Sequence, residues 1–299
     1  MDSRQELLIL IDVLAQVISE VKVSSIDDPT EWERKTDAHN LANRFLQYAT
    51  TVLHLSNDEN TVKLPSFGDI RVLDPASIDV LVRAAMEAFL VFHHVFYSPA
   101  SKDEKEFRYW IYKAVGLAER QDLPEGTFEH EKQKVEEKKK IDGIISNLKS
   151  NTTFKKLTAN QKDGIAVGRQ RDLWRWNPEA KQILSWPEIA TDAGLSEMLA
   201  HHMYGHLSGH AHSGSISVLQ AQQAVVRREV GKLINPSLAT MKILAANMIS
   251  EYTVFFKEAH DKLGLTGAIE FVEMWVQIGR KLGDNRQDEP QIPPVPAPV

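Results

Sequence analysis

The chain has 299 residues, a net charge of −6 and no cysteine, with 42% hydrophobic and 25% charged residues. This length favours one or two domains, and the lack of cysteine excludes a disulfide framework, a cysteine nucleophile and thiolate-bound zinc or iron–sulfur clusters. An acidic N-terminus without the basic region of a signal peptide, and no apolar run of the ~18 residues that a membrane span needs, predict a soluble cytoplasmic protein without membrane contact.

Apolar residues recur at spacings of three and four along most of the chain, which predicts amphipathic and buried helices. Asp28-Pro29 and Asp74-Pro75 are typical helix starts. A loop is expected at 57–73, with one strand candidate at 70–74, and residues 150–185 are expected to be irregular. The predicted helices cover residues 5–22, 29–55, 75–97, 101 onward, 127–149, 187–194, 196–213, 235–263 and 266–281.

These elements predict an all-α fold, a single multi-helix bundle. We expect an N-terminal helical extension at 1–60, a helical bundle domain at 74–282 and a disordered, proline-rich tail at 283–299. The helices at 74–98, 196–213 and 236–263 are the most apolar and are expected at the centre of the bundle.

The helix from Asp74 is apolar on nearly every side, yet it contains Arg83 and Glu87. A spacing of four places both on one helix face, together with His94. An exposed ion pair favours the acid before the base, and here the order is reversed. A charge inside an apolar helix is costly unless it is paired. The pair therefore indicates either a buried polar site between helices or a salt bridge that only fixes packing.

Residues 196–214 hold five of the chain's eleven histidines. Helical geometry places Tyr204, Ser208 and His212 on one stripe of the helix. A second stripe carries three histidines at a spacing of four: His202, His206 and His210. If the first stripe faces Arg83 and Glu87, it offers an acid–base imidazole, a hydroxyl and an anion-binding guanidinium.

The second stripe offers a different chemistry. His202 and His206, with or without His210, have a spacing suited to a divalent metal ion, which Glu87 or His94 would complete. A solvated or interface face is the alternative. Arg108, on the next helix, either extends the polar site or packs in the core.

The segment 151–181 carries seven basic and three acidic residues together with Trp174 and Trp176. Such a stretch either binds phosphates and stacks on bases or is a solvated loop that its tryptophans anchor. The acidic charge of the whole chain argues against a dedicated nucleic-acid binder.

The order of these motifs resembles a large bacterial family of all-helical proteins of unknown function, with an R-x-x-x-E helix and a Y-x-x-x-L-S-x-x-x-H helix. The resemblance covers roughly residues 74–256 and implies an all-helical fold with a paired Arg/Glu helix. The chain is also distantly similar to the helical nucleotide-binding and toxin ribonuclease superfamily, but no Arg and His share one helix at the spacing of that superfamily. The matching residues are Arg83, Glu87, Arg108, Trp186, Ala190, Gly194, Leu195, Tyr204, Leu207, Ser208 and His212.

Three functions follow as hypotheses. The first is a reaction on an RNA or nucleotide phosphodiester, with His212 as acid–base and Arg83 holding phosphate. The second is a metal-dependent oxidase or hydrolase with histidine and glutamate ligands. The third is a non-enzymatic dimerising interaction or sensor module.

The charged helix at 127–149 has a thin apolar stripe, which predicts a partner surface and a homo-oligomer, most simply a dimer.

Overall fold

The structure is a computed structural model that describes residues 2–122, 128–166, 171–177, 179–211, 215, 218–220, 222–223 and 230–283. Turns of π-helix lie at Phe92–Tyr97 and at Met198–Met203. The predicted all-α fold is confirmed. The helices are α1 (Ser3–Glu20), α2 (Pro29–Leu55), α3 (Pro75–Val91), α4 (Lys102–Gln121), α5 (Phe128–Leu148), α6 (Thr152–Lys155), α7 (Ala159–Ala166), α8 (Trp186–Asp192), α9 (Tyr204–Ala211), α10 (Val230–Leu233), α11 (Asn235–Phe255), α12 (Lys257–Thr266) and α13 (Ile269–Lys281).

The predicted helix starts are supported by side-chain caps. The Asp28 carboxylate accepts hydrogen bonds from two backbone N–H groups of the first turn of α2, at 2.8 and 3.0 Å. Asp74 caps α3 in the same way, and Ser101 caps α4. Each cap satisfies backbone donors that the first helical turn leaves without a partner.

Two antiparallel hairpins supply the strands in the described part of the chain. β1 (Thr61–Leu64) pairs with β2 (Gly68–Arg71) in the predicted loop, and β3 (Trp176–Asn177) pairs with β4 (Gln182–Ile183). The strand candidate at 70–74 therefore ends at Arg71, because Asp74 caps α3 instead. The segment 150–185 is more regular than predicted, since it holds α6, α7 and the second hairpin.

Helix α11 lies at the centre of the core, in contact with α1, α2, α3, α12 and α13. Its apolar residues face every direction, as its sequence predicts. The predicted helix to residue 263 is interrupted at Phe256, which has an extended backbone (φ −117°, ψ 115°) and a buried side chain. This break turns the chain so that α12 packs against α1.

Helix α1 packs against α2, α11 and α12, and its apolar residues join the same core as the rest of the bundle. The division between an extension at 1–60 and a domain at 74–282 stays a prediction, and both parts contribute to one core.

The predicted disordered tail lies outside the described residues from position 284. Within the described ranges, none of the helices has both the length and the apolar character that crossing a bilayer requires.

The charged helix α5 packs against α4 through Ile141, Ile144 and Leu148, which are all buried. Its first half is more exposed, with Val135 57% accessible. The second half of the helix therefore finds its partner surface within the same chain.

Candidate functional site

The candidate site lies between α3 and α9, which pack against each other. Asp79, Arg83 and Glu87 follow at intervals of four and share one face of α3. Tyr204, at the start of α9, contacts Glu87, and His210, near its end, lies beside Asp79. The two helices therefore run antiparallel, and their polar side chains form two layers about 6 Å, or one helical turn, apart along α3.

The first layer, here called the Arg83 layer, joins Arg83, Glu87 and Tyr204. Nε of Arg83 donates a hydrogen bond to Oε1 of Glu87 at 3.0 Å, and the Tyr204 hydroxyl donates to the same oxygen at 3.2 Å. The guanidinium carbon lies 5.4 Å from the centroid of the Tyr204 ring. The Arg83 and Glu87 side chains are 22% and 31% exposed, so a dissolved ligand can reach this layer.

Electrostatics keep the Arg83 layer in one protonation state. Partial burial works against the charge of Arg83, but the hydrogen bond and charge of Glu87 outweigh it and raise the pKa of the guanidinium. Burial, with the nearby Glu87 carboxylate, raises the pKa of Tyr204. The phenol therefore stays protonated and keeps donating its hydrogen bond.

The other residues predicted for this site are placed differently. Ser208 lies half-buried on α9, one turn after Tyr204. His212 lies outside the described residues. Arg108 is buried on α4 and does not join the Arg83 layer. The sequence could not predict this, because the position of a residue on its own helix does not show which other helix it faces. Arg108 donates instead to the His94 carbonyl, the Ser98 hydroxyl and the Glu104 carboxylate.

The second layer, here called the Asp79 centre, consists of Asp79, His206, His210 and Ser237. Oδ2 of Asp79 lies 3.1 Å from Nδ1 of His210 and 3.9 Å from Nε2 of His206. The Ser237 hydroxyl donates to Oδ1 of the same carboxylate. Asp79 is 1% exposed, and burial raises its pKa. A buried carboxylate that faces two imidazoles requires a positive charge or a shared proton.

The surroundings of His210 indicate which of its nitrogens carries hydrogen. Its Nε2 lies 3.3 Å from the side-chain oxygen of Gln220, and in the tautomer with hydrogen on Nε2 this nitrogen donates to Gln220. In that tautomer Nδ1 has no hydrogen and lies 3.1 Å from Oδ2 of Asp79. Its lone pair lies beside the Asp79 carboxylate. Two electron-rich atoms so close repel each other unless a cation or a proton lies between them.

The three side chains fit the coordination sphere of a metal ion. Their ligand atoms all lie within 4.8 Å of one another. Atoms bound at ~2.0–2.1 Å to a tetrahedral ion lie about 3.3 Å apart, a value between the two distances measured from Asp79. The hydrogen bonds of Gln220 to His210 and of Ser237 to Asp79 orient the ligands from behind, as is usual at metal sites. His206 is 34% exposed, which leaves one side open to water or substrate.

The sequence identified only part of this centre. Of the predicted metal ligands, the structure places His206 and the optional His210 in it. His202 is exposed, and Glu87 is bonded to Arg83. His94 is fully buried, with Nδ1 3.0 Å from the Arg108 guanidinium, where a metal ion would meet a fixed positive charge.

Asp79 was missed by sequence reasoning, whereas His210 was predicted as an optional third histidine ligand. Asp79 carries the same signal that indicated Arg83, a charged residue inside an apolar helix, four positions earlier on the same face. His210 was placed on the same stripe as His206, at a spacing of four. Within the described part of the chain, the Asp79 centre is where histidine and carboxylate groups lie close enough to chelate an ion.

A second buried centre, here called the His93 centre, consists of His93, Asp192 and Glu251. Nδ1 of His93 lies 2.7 Å from Oε1 of Glu251, and Nε2 lies 3.5 Å from Oδ2 of Asp192. Burial disfavours the charged imidazole, but the two carboxylates outweigh it and raise the pKa of His93 from 6.5 to about 9. The ring is therefore a cation at neutral pH, held between two anions.

His94, the next residue, titrates in the opposite direction. Burial and the adjacent Arg108 guanidinium lower its pKa to about 3, so the ring is neutral. Both histidines point into the core because they lie on the π-helical turn after α3. This arrangement links α3 to α4, α8 and α11 and has the character of a structural anchor.

The tryptophans of the basic segment are anchors as well. Trp174 and Trp176 are each 8% exposed. The Arg175 guanidinium lies over Trp186, 5.3 Å from the ring centroid, and pairs with Asp172. Burial leaves these rings with little surface for stacking on bases, which favours the anchored-loop interpretation.

Comparisons with protein-family models, with curated proteins and with solved structures find no match to this chain. The resemblance to an all-helical bacterial family therefore stays a prediction from motifs, and the function has to be argued from the site itself.

Proposed function

We propose that the chain is a metal-dependent hydrolase with one divalent transition-metal ion bound by Asp79, His206 and His210. The observation that carries this proposal is the cluster itself: ligand atoms of Asp79, His206 and His210 all lie within 4.8 Å of one another, and Nδ1 of His210 lies 3.1 Å from the Asp79 carboxylate. A metal ion resolves the repulsion between these two atoms and binds through both of them. Imidazole and carboxylate ligands together suit zinc and other first-row transition metals.

Three protein ligands leave at least one coordination position for water or substrate, which is the pattern of catalytic rather than structural zinc sites. A bound ion lowers the pKa of its water and supplies hydroxide near neutral pH. The residues of the chain hold the ion and exclude water from its buried side, while exposed His206 borders the open side.

Two other hypotheses from the sequence bear on the same residues. Two histidines and one carboxylate also bind the iron of oxygenases. Hydrolysis is favoured here because it requires water alone, whereas oxidation requires an oxidant and a source of electrons. The interaction or sensor module corresponds to a centre that holds a proton in place of a metal, with Asp79 as the donor to His210.

Metal binding to the purified, untagged chain tests the proposal. Calorimetric titration with Zn²⁺ is expected to show one tight site. Replacing a ligand, in His206→Ala or Asp79→Asn, is expected to weaken binding by more than the roughly 10–100-fold that loss of an orienting partner costs. His202→Ala is the matched control, because His202 is exposed and lies four residues from His206 in the same histidine-rich segment.

The outcome distinguishes the hypotheses. Equal binding by wild type and by His206→Ala, or an equal loss in His202→Ala, would refute a site at the Asp79 centre. Iron in the protein as isolated, with oxygen consumption, would favour the oxidase. Absence of tight binding by any of these metals would favour the protonated, non-enzymatic centre.

The homodimer remains part of this proposal. Its support is the largely exposed first half of α5, where Val135 is 57% accessible among charged residues. Light scattering is expected to give about twice the 33.8 kDa of one chain. A monomer mass at micromolar concentration would contradict it.

A further inference from the structure

We infer that the substrate of this centre is a phosphodiester, a singly charged phosphate that bridges the metal ion and Arg83. The inference rests on the proposed function, since it assumes an ion at the Asp79 centre. It assigns Arg83 to substrate binding and makes Glu87 and Tyr204 the residues that position it.

Placement along α3 is the first argument. Arg83 follows Asp79 by four residues on the same helix face, so its backbone lies about 6 Å, one turn, further along the axis. The guanidinium is 22% exposed, and the open side of the centre is bordered by His206, which is 34% exposed. An anion that binds the ion on its open side would therefore lie on the helix face that carries Arg83, about one turn away.

Rigidity is the second argument. Arg83 is held by a hydrogen bond to Glu87 at 3.0 Å and stacks over Tyr204 at 5.4 Å, while Tyr204 donates to Glu87 at 3.2 Å. A guanidinium fixed in this way loses little conformational entropy on binding an anion. Arg83 precedes Glu87, an order that stabilises an exposed helical pair less than the reverse order. The order is therefore consistent with a role in placing the guanidinium and not with a role in stabilising the helix.

Charge balance is the third argument, and it selects the diester. The described side chains of the two layers contribute two carboxylates, Asp79 and Glu87, and one cation, Arg83. A divalent ion with a neutral bound water and neutral histidines brings the total of these groups to +1. A phosphodiester carries one negative charge and neutralises the site, whereas a phosphomonoester dianion leaves an excess negative charge in a partly buried place.

The reaction balances with water as the second substrate. The oxygen of water forms a bond to phosphorus, and one ester P–O bond breaks. The leaving alkoxide takes a proton from the water and becomes an alcohol, and the other product is a phosphomonoester. The site as described supplies no oxidant and needs none.

The test uses the full chain loaded with Zn²⁺ or Mn²⁺ and three probes: bis(4-nitrophenyl) phosphate, 4-nitrophenyl phosphate and the neutral 4-nitrophenyl acetate. We expect kcat/KM for the diester to exceed that for the monoester at least about 10-fold. In Arg83→Gln the KM for the diester is expected to rise about 10–100-fold, with hydrolysis of the neutral ester and Zn²⁺ affinity unchanged. Arg83→Lys, which keeps the charge, should recover part of the loss. Arg280→Ala, an exposed arginine on α13, is the control.

Binding of dimethyl phosphate, measured by calorimetry, supplies a readout independent of turnover and is expected for the metal-loaded wild type only. If the protein binds Zn²⁺ but prefers the monoester or the neutral ester, or binds no dimethyl phosphate, the inference is overturned and the metal site stands. An unchanged diester KM in Arg83→Gln overturns it equally. If no metal binds, the proposed function fails first, and dimethyl phosphate binding to the metal-free chain would then show an anion site of a different kind.

Discussion

The Asp79 centre and the His93 centre are both clusters of histidine and carboxylate around a buried residue of α3 or of its π-helical extension, yet they have opposite compositions. His93 is one imidazole between two carboxylates, and its pKa rises to about 9. At the Asp79 centre two imidazoles face one carboxylate, and burial lowers the pKa of His206. The first cluster binds its own proton as the positive charge. In the second cluster two imidazoles face one buried carboxylate, and the proposed metal ion would supply the positive charge.

The comparison separates an anchor from a site. The His93 centre joins α8 and α11 to the end of α3, and its charges are paired within the chain. The Asp79 centre has two imidazoles and a single carboxylate, and His206 borders its accessible side. Changes near His93 should therefore act on stability, and changes near Asp79 should act on binding.

The largest effect on stability is expected at Arg108, beside the His93 centre. Arg108→Ala removes a buried guanidinium that bonds to Glu104, Ser98 and the His94 carbonyl. Breaking a buried pair costs about 3–5 kcal/mol, so urea unfolding should show a loss of that size. Zn²⁺ affinity should not change. Unaltered stability with lost metal binding would instead place Arg108 in the functional site, as the sequence suggested.

The next effect is a pH dependence that belongs to His93. Its folded pKa is raised from 6.5 to about 9, so its stabilisation is complete below the unfolded pKa and is lost as pH rises through the folded pKa. The shift corresponds to roughly 3 kcal/mol, reduced by the cost of burying the Glu251 charge. Wild type should therefore lose stability relative to His93→Gln over this range. The exposed His260→Gln variant is the control, and parallel curves for His93→Gln and wild type would contradict the assignment.

Metal binding should stabilise the fold through the Asp79 centre alone. Free Zn²⁺ at about 100 times its Kd adds about 2.7 kcal/mol to the unfolding free energy. A thermal-shift series should show this gain in wild type and in His93→Gln, and lose it in His206→Ala. A gain that vanishes in His93→Gln would reverse the roles of the two centres.

The smallest effect is expected in the Arg83 layer. Tyr204→Phe removes one partly exposed hydrogen bond to Glu87, worth about 0.5–1.5 kcal/mol. Chemical denaturation should detect this loss, while Zn²⁺ affinity stays unchanged. A destabilisation comparable to that of Arg108→Ala would mean that the layer serves mainly to fix the packing of α3 on α9.

Much of the fold could be predicted because its signals are local. The caps at Asp28, Asp74 and Ser101 bond to backbone groups two or three residues away, so the sequence itself contains both partners. The break at Phe256 was not predicted, since no proline or glycine marks it. It depends on how α12 packs against α1, two segments more than 200 residues apart.

For the site, the sequence determined which residues were unusual: charges in the apolar helix at 75–97 and histidines at a spacing of four near its partner. The pairing of Arg83 with Glu87 followed from helical periodicity alone, because both lie on one helix. Only the tertiary structure decided that α9 lies antiparallel on α3, which brings His210 to Asp79, and that Ser237, 158 positions from Asp79, donates to that carboxylate. Helical periodicity defines a face within one helix, but the packing of the whole core determines which other face it meets.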